Sequence, residues 1–588
     1  MCSPARRSAF CARWRLNAFS IADKSISTGT TEIVMRKKYV LFLIPLVLYI
    51  VLLGVMPQME PDEARYSLIP SEMNQTGDYI TPHIKNTIYL EKPPLVYWAT
   101  ALAFKVFGEN DFSARLFVGL CAWGCIWLIY FIGRHFRDEK TGLCAAMLLT
   151  VSAFPFFLGR INILDTPLAF FVCLSIWLGY LGLKREKKYF LYLFYGVCGL
   201  GFLTKGIIGI LFPFGVLIGW LVWIGQWRKI LKMASPVGII IFALLVCPWL
   251  ILAQKANPDF LWFFFVREHF LRFTTTMHGK SEPFYFYLPV LIGGLTPWLF
   301  YLIKAWNHRR IREPLFGAEE TKLLVVWFVL IFAFYQMSSS KLAPYIAPIF
   351  PPLILFAAAL FRRYEEELPQ NSRIREIAYR SAILSQACLF GVALLLPPLL
   401  NRYSDAEKGL VVMVSDQWWL YIAAPMLALI LMTFLPDWMQ KKYKKGWFVT
   451  IYILCALFLG GIVFPLNDFL SPYRSARVAK EAIARWVPQD ELLYQYRVNF
   501  YGIDFYNKIR TPIVEDFGEL ADGIAKMDRE ERKKYFLDAE AFFNLCAEKK
   551  KVYCITQHKK KLKQITQRFP KTRILWENKA FYLLLIET

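Results

Sequence analysis

Charge is scarce in this chain. Asp, Glu, Lys and Arg make up 19% of its 588 residues, below the about 25% of ordinary soluble domains, while hydrophobic residues reach 56%. That balance excludes disorder and collagen and points to a chain that uses lipid as its solvent. The twelve cysteines contain no CxxC pair, and most lie inside apolar runs where a thiol behaves as a small hydrophobe, so a disulfide scaffold is excluded too. Cys546 and Cys554 share a polar region near the C-terminus, where a disulfide is open to them if that region lies outside the cytoplasm. Also missing are a Walker motif, a GxGxxG after a strand and an HExxH.

What is present is a series of apolar runs of spanning length. They fall at about 39–57, 112–133, 142–159, 166–183, 189–204, 206–225, 236–253, 286–303, 323–337, 342–360, 382–400, 412–435 and 447–465. The expectation is an all-α polytopic membrane protein of about 13 transmembrane helices. Residues 1–34 are polar and Arg-rich without an apolar core of signal-peptide length, whereas Met35 opens MRKK and the first spanning run. Met35 therefore reads as the natural start and 1–34 as a non-native or disordered extension, the alternative being a basic cytoplasmic tail. The expected organisation is a membrane domain at 35–465, with a first outer loop at 56–111 carrying juxtamembrane helices, followed by a small mixed α/β domain at 466–588.

The formal charge of +24 resolves by loop. RHFRDEK, KREKK, QWRKILK, KAWNHRRIREP and QKKYKKG are dense in Lys and Arg, and the loops between them are not. By the positive-inside rule the N-terminus is cytoplasmic and the C-terminal region after about residue 466 lies outside. Basic loops that mark orientation call for no nucleic-acid partner. In the C-terminal region, SARVAKEAIARWV reads as helix and YCIT and FYLLLIE as strands. The basic clusters EKKKVY and HKKKLKQ there face either solvent or anionic headgroups.

Charges at membrane depth are costly and are functional suspects. They gather on the outer side. Asp62, Glu63 and Arg65 share one turn just after the first span, a pattern that equally fits a surface ion pair. Glu91 and Lys92 precede Pro93 and Pro94, which force an extended backbone and then start the apolar, interface-lying stretch LVYWATALAFKVF. A lysine fixed there is either a point charge for phosphate or a snorkelling side chain. Arg160 with Asp165, then Lys205, then Lys341 with Tyr345 stand at outer ends of later spans. The third outer loop adds Glu268, His269, Arg272 and His278. Separated carboxylates among several cations suit transfer from a phosphate-linked donor: the cations stabilise the departing phosphate, and a carboxylate orients or deprotonates the acceptor.

The ordered set PDEARY, GDYITP, YLEKPPLVYW, Arg160-x-x-x-x-Asp165, Thr204-Lys205-Gly206, Glu268-His269-x-x-Arg272-Phe273 and Ser340-Lys341-Leu342-x-x-Tyr345-x-x-Pro348 resembles the bacterial lipid A aminoarabinose transferases. These belong to the membrane-embedded GT-C glycosyltransferases, together with the protein O-mannosyltransferases. The resemblance covers about residues 35–350 and implies inverting transfer of a sugar from an undecaprenyl-phosphate carrier to lipid A or another envelope acceptor. It implies Asp62 and Asp165 as catalytic carboxylates, and Lys92, Lys205, Arg272 and Tyr345 as the carrier-phosphate set. Glu63, Arg65, Tyr89, Glu91, Arg160, His269 and Lys341 would line the substrate cavity. No cofactor is required by this reading, although a divalent metal at Glu91 and His269 is a candidate. Within the same scaffold, a hexose or uronic acid, and lipopolysaccharide core or protein hydroxyls, remain open as sugar and acceptor. A transporter of the lipid-linked sugar would show internal repeats with interrupted helices, and the sequence has no such symmetry.

Overall fold

The computed structural model describes residues 43–274, 282–296, 298–299, 315–367 and 447–588. The N-terminal extension, His278 and the expected spans at 382–400 and 412–435 lie outside these residues.

The chain enters through an apolar helix α1 (Leu43–Gly54) and turns into α2 (Asp62–Thr76), which ends at Gly77 in the left-handed region, φ 76°. A two-stranded hairpin follows, β1 (His83–Ile84) with β2 (Thr87–Ile88). Its turn residues Lys85 and Asn86 both have positive φ, 52° and 62°, as a tight turn between twisted strands demands. Pro93 and Pro94 then start α3 (Leu95–Phe107), whose 13 residues are too few to span.

Among the described residues six helices are long and apolar enough to cross a membrane, the architecture of a helical polytopic membrane protein. The first is α4 (Asp111–Phe136), opened by a capping box between Asn110 and Ser113. The expected run 142–159 is not one helix. It breaks into α5 (Glu139–Val151) and α6 (Ala153–Leu158) at Ser152, whose ψ of 131° is extended. The Ser152 hydroxyl bonds back to the Leu148 carbonyl, and the Ala153 N–H leaves the helix ladder to reach the Thr296 carbonyl at 3.0 Å. Next come α7 (Asp165–Arg185), α8 (Lys188–Lys205), α9 (Ile208–Trp223) and α10 (Pro236–Ala256). A π-helical segment (Trp262–Leu271) occupies the third outer loop. The membrane part closes with α11 (Tyr287–Gly294), α12 (Ala318–Met337), a 3-10 stretch Ala343–Ile349 running into α13 (Phe350–Glu367), and α14 (Trp447–Arg474).

Helix α7 shows how the two ends differ. Its 21 residues rise about 31 Å, from Asp165 in the outer cluster to Lys184 and Arg185 at the basic end. There Lys184 pairs with Glu319, and Lys232 with Glu186 at 2.9 Å. Acid at a helix start and base at its end both suit the helix dipole.

Beyond α14 and α15 (Lys480–Trp486), six strands form one sheet in the order β5-β4-β3-β6-β8-β7. These are β3 (Leu493–Tyr496), β4 (Ile513–Val514), β5 (Phe536–Leu537), β6 (Lys551–Gln557), β7 (Arg573–Glu577) and β8 (Phe581–Glu587). The four strands β5, β4, β3 and β6 run parallel, and β8 and β7 are antiparallel additions. Helices α16 (Tyr501–Asn507), α17 (Ala521–Ala525), α18 (Arg529–Tyr535), α19 (Ala539–Glu548) and α20 (Lys559–Arg568) connect them. Cys546 and Cys554 are separate buried thiols in this domain's core.

The domain shares a core with the first outer loop. Phe505, Ile513, Leu520, Ile524 and Phe536 pack with Ile69, Ile84, Tyr89, Tyr97 and Phe104. Lys85 Nζ, almost fully buried, lies 2.6 Å from Asp504 Oδ2 and 2.7 Å from Thr511 Oγ1. This pair holds the hairpin's tip, including its positive-φ lysine. Glu60 caps the same domain by accepting from the Gly502 N–H at 2.6 Å and the Tyr501 N–H at 3.2 Å.

Candidate active site

Three helix ends build the outer cavity. Helix α8 stops at Lys205 because Gly206 takes φ 79°, and a Cβ there would lie 2.1 Å from His269 Nε2. Glycine thus serves both the turn and the close approach of the π-helical segment. His269 fastens that segment: Nδ1 lies 2.6 Å from the Phe264 carbonyl, and Nε2 accepts from the Ile207 N–H at 3.2 Å. This is the neutral imidazole, and burial lowers its pKa.

Between Lys205, the π-helical segment and the Ala343–Ile349 stretch lies a cavity of about 400 Å³, lined by Glu91, Lys92, Lys205, Glu268, Arg272 and Tyr345, with Phe265 and Phe334 among its apolar walls. Lys92 Nζ is 3.3 Å from Glu268 Oε2 and 3.5 Å from Glu91 Oε2. Arg272 Nη1 is 2.8 Å and 3.6 Å from the same two oxygens. Two carboxylates thereby hold two cations side by side. Burial, then the neighbouring Arg272, pushes the Lys92 pKa down. The three donors of the Lys92 ammonium face Glu268 Oε2, Glu91 Oε2 and, at 3.1 Å, the Glu91 carbonyl, whereas the five donors of the Arg272 guanidinium exceed its two carboxylate partners and leave N–H groups for an anion in the cavity. Lys205 is the third cation: its Nζ lies 2.5 Å from Asp165 Oδ1 and 4.6 Å from the Tyr345 ring centre.

The structure thus gathers Glu91, Lys92, Lys205, His269, Arg272 and Tyr345 on one cavity. Asp165 joins through Lys205, and Tyr89 through its hydroxyl, 3.2 Å from Glu91 Oε2. Asp62 stands apart from the lining, its side chain 59% exposed and paired with the buried Arg65, which also lies over the Tyr89 ring. Two other residues are turned elsewhere. Glu63 is buried against Arg115 at 2.8 Å and accepts from the Asn162 N–H at 2.8 Å. Arg160 donates to the carbonyls of Leu48 and Leu52 on α1. Neither lines the cavity. Lys341 is buried beside Ser340, which does.

Glu91 and His269 do not fit a metal as arranged. Both imidazole nitrogens are engaged, and the Glu91 carboxylate serves Lys92, Arg272 and Tyr89. Among the described residues no group of three or more His, Cys, Asp or Glu is placed to hold an ion.

A family model described as dolichyl-phosphate-mannose-protein mannosyltransferase matches residues 91–252. An undecaprenyl phosphate-alpha-4-amino-4-deoxy-L-arabinose arabinosyl transferase of Aeromonas salmonicida is 30% identical over 385 residues, 63% of this chain and 68% of that protein. The chain belongs to this arabinosyl transferase family. Its relative of the same name from Enterobacter sp. is 30% identical over 364 residues, which span 63% of the relative's own length. A crystal structure of ArnT from Cupriavidus metallidurans bound to undecaprenyl phosphate superposes with a TM-score of 0.77, covering 93% of this chain and 97% of that one at 21% identity. That likeness shows a shared fold.

Two residues of this arabinosyl transferase family member escaped the sequence. Arg115, the partner of Glu63, lies near the start of the apolar run that forms α4. Glu519, in the C-terminal domain, forms an ion pair with Arg65 and gives no local signal at all.

Proposed function

We propose that the protein is a glycosyltransferase of the bacterial inner membrane that moves 4-amino-4-deoxy-L-arabinose from an undecaprenyl-phosphate carrier to a lipid A phosphate, inverting the anomeric carbon. The observation that carries this reading is the convergence of Lys92, Lys205 and Arg272 on one cavity with apolar walls. In the proposed step an oxygen of the acceptor attacks the anomeric carbon, and the bond from that carbon to the carrier phosphate breaks with its electron pair on the phosphate oxygen. The three cations stabilise the charge that develops there, and their carboxylate partners fix them beforehand so that little reorganisation is needed. The apolar walls suit the first isoprene units. A phosphate monoester acceptor, with a second pKa near 6, needs positioning more than proton removal. Asp62, exposed and held by the buried Arg65, takes that role. The protein cations supply the charge stabilisation, since Glu91 and His269 are already committed.

The charged turns support a cytoplasmic N-terminus and a periplasmic face for the cavity and the C-terminal domain. The family-model match over 91–252 favours a second reading, transfer of a hexose to protein hydroxyls. Asp62→Asn tests the assignment: product formation should fall at least about tenfold while binding of undecaprenyl phosphate is kept. Unchanged product would contradict it. With a phosphate acceptor, already ionised above about pH 7, the deficit should stay level from neutral to high pH, whereas with a hydroxyl acceptor, for which Asp62 would be the base, it should narrow as hydroxide takes over.

A further inference from the structure

The C-terminal domain reaches the acceptor side of the site with one side chain. Glu519, on the 3-10 turn Gly518–Leu520, pairs with Arg65 Nη1, while Arg65 Nη2 pairs with Asp62. The same Glu519 oxygen, Oε2, lies 3.4 Å from the Tyr89 hydroxyl, which is also 3.2 Å from Glu91 Oε2. Tyr89 has one proton to share between two carboxylates. Glu91 in turn holds Lys92 and Arg272. A continuous polar chain therefore runs from Asp62 through Arg65, Glu519, Tyr89 and Glu91 to the cavity cations, and its middle member lies 430 residues from Tyr89 in sequence.

The surroundings fix Glu519 in this place. Leu520 and Ile524 are buried in the core shared with Tyr66, Tyr89 and Tyr97. A Cβ on Gly523 would lie 2.4 Å from the Ile88 carbonyl, so only glycine lets α17 press on the hairpin. Asp522 pairs with Arg267 of the π-helical segment at 2.7 Å, which ties the same turn to the third outer loop.

We propose that Glu519 is a positioning residue of the transfer reaction, holding the Arg65 guanidinium between two carboxylates and so setting where Arg65 and Asp62 meet the acceptor. The inference rests on the reading given under the proposed function. Arg65 is buried and always charged. With Glu519 neutral it keeps Asp62 as its one carboxylate, draws that side chain inward, and removes it from the acceptor. The carrier-phosphate cations keep their own partners and are unaffected.

The test uses the full-length protein reconstituted in lipid, with a lipid-linked aminoarabinose donor and lipid A as acceptor. Glu519→Gln, which keeps the shape, should lower kcat about tenfold or more, with the Kd for undecaprenyl phosphate and the melting temperature unchanged. Glu519→Asp, which keeps the charge, should recover part of that loss. A Gln variant with the wild-type kcat would overturn the inference, as would a loss matched by equal losses in carrier binding and melting temperature. An Asp variant as slow as the Gln variant at the same melting temperature would overturn the role of the charge. An inactive wild-type protein overturns the functional reading and the inference with it; an active wild type with an unaffected Gln variant overturns the inference alone.

Discussion

Lys205 and Asp165 lie 2.5 Å apart across the ends of two helices, the ammonium at the last turn of α8 and the carboxylate at the first turn of α7. Each end carries the charge its helix dipole favours, so the pair is set without depending on a loop. In the proposed reaction Asp165 aims Lys205 at the cavity. Lys205→Ala and Asp165→Asn should each lower kcat/KM by about 10- to 100-fold, the worth of a charge-assisted hydrogen bond. The double variant should be little worse than the poorer single one, because both remove the same contact. Steady-state kinetics of the three variants check this, and additive losses would show that the two residues act independently.

The buried Lys85 to Asp504 pair should govern docking of the C-terminal domain. Lys85→Ala leaves Asp504 charged, buried and supported only by Thr511 and Gln495, a situation that typically costs about 3–5 kcal/mol. Replacing both partners, Lys85→Met with Asp504→Leu, removes the stranded charge and should cost less than the single change. Thermal unfolding of the detergent-solubilised protein, with protease cleavage near Lys480 as a second readout, compares the two.

Glu60 should make that docking depend on pH. Burial outweighs its bonds to the Gly502 and Tyr501 N–H groups and pushes its pKa from 4.5 up to about 8. The folded state therefore holds this proton more tightly than the unfolded one. The contribution is complete below about pH 4.5 and is lost as pH rises through about 8. Glu60→Gln keeps an acceptor for the helix end and cannot ionise. Measured from about pH 6 to about pH 9, its melting temperature should fall less than that of the wild type. Parallel curves would mean that Glu60 does not titrate in this range.

The adjacent pair Asp62 and Glu63 shows where sequence reading stops. Neighbours on a helix point about 100° apart, so one carboxylate turns to Arg115 in the core and the other to the open face. Which does which depends on Arg115, more than fifty residues along, and the motif is silent about it. Lys205 stands at the end of an apolar run, where a charge at membrane depth announces itself, while Lys92 before Pro93, Arg272 in the long third loop and Tyr345 were grouped with it through the family resemblance. Gly206 was visible as part of a motif, but its steric role against His269 required the fold. The break at Ser152 was invisible because apolar residues continue on both sides of it, and only the Thr296 carbonyl draws the chain out of the helix. Lys85 and Glu519 had no signal, since their partners come from the far end of the chain.

Mass spectrometry of lipid A from cells with and without the gene tests the central claim most directly. The account predicts a pentosamine increment on a lipid A phosphate that is present only with the gene and lost in the Lys92→Ala and Asp62→Asn variants. Identical lipid A in both strains, with a gene-dependent hexose on protein or core sugar instead, would contradict it.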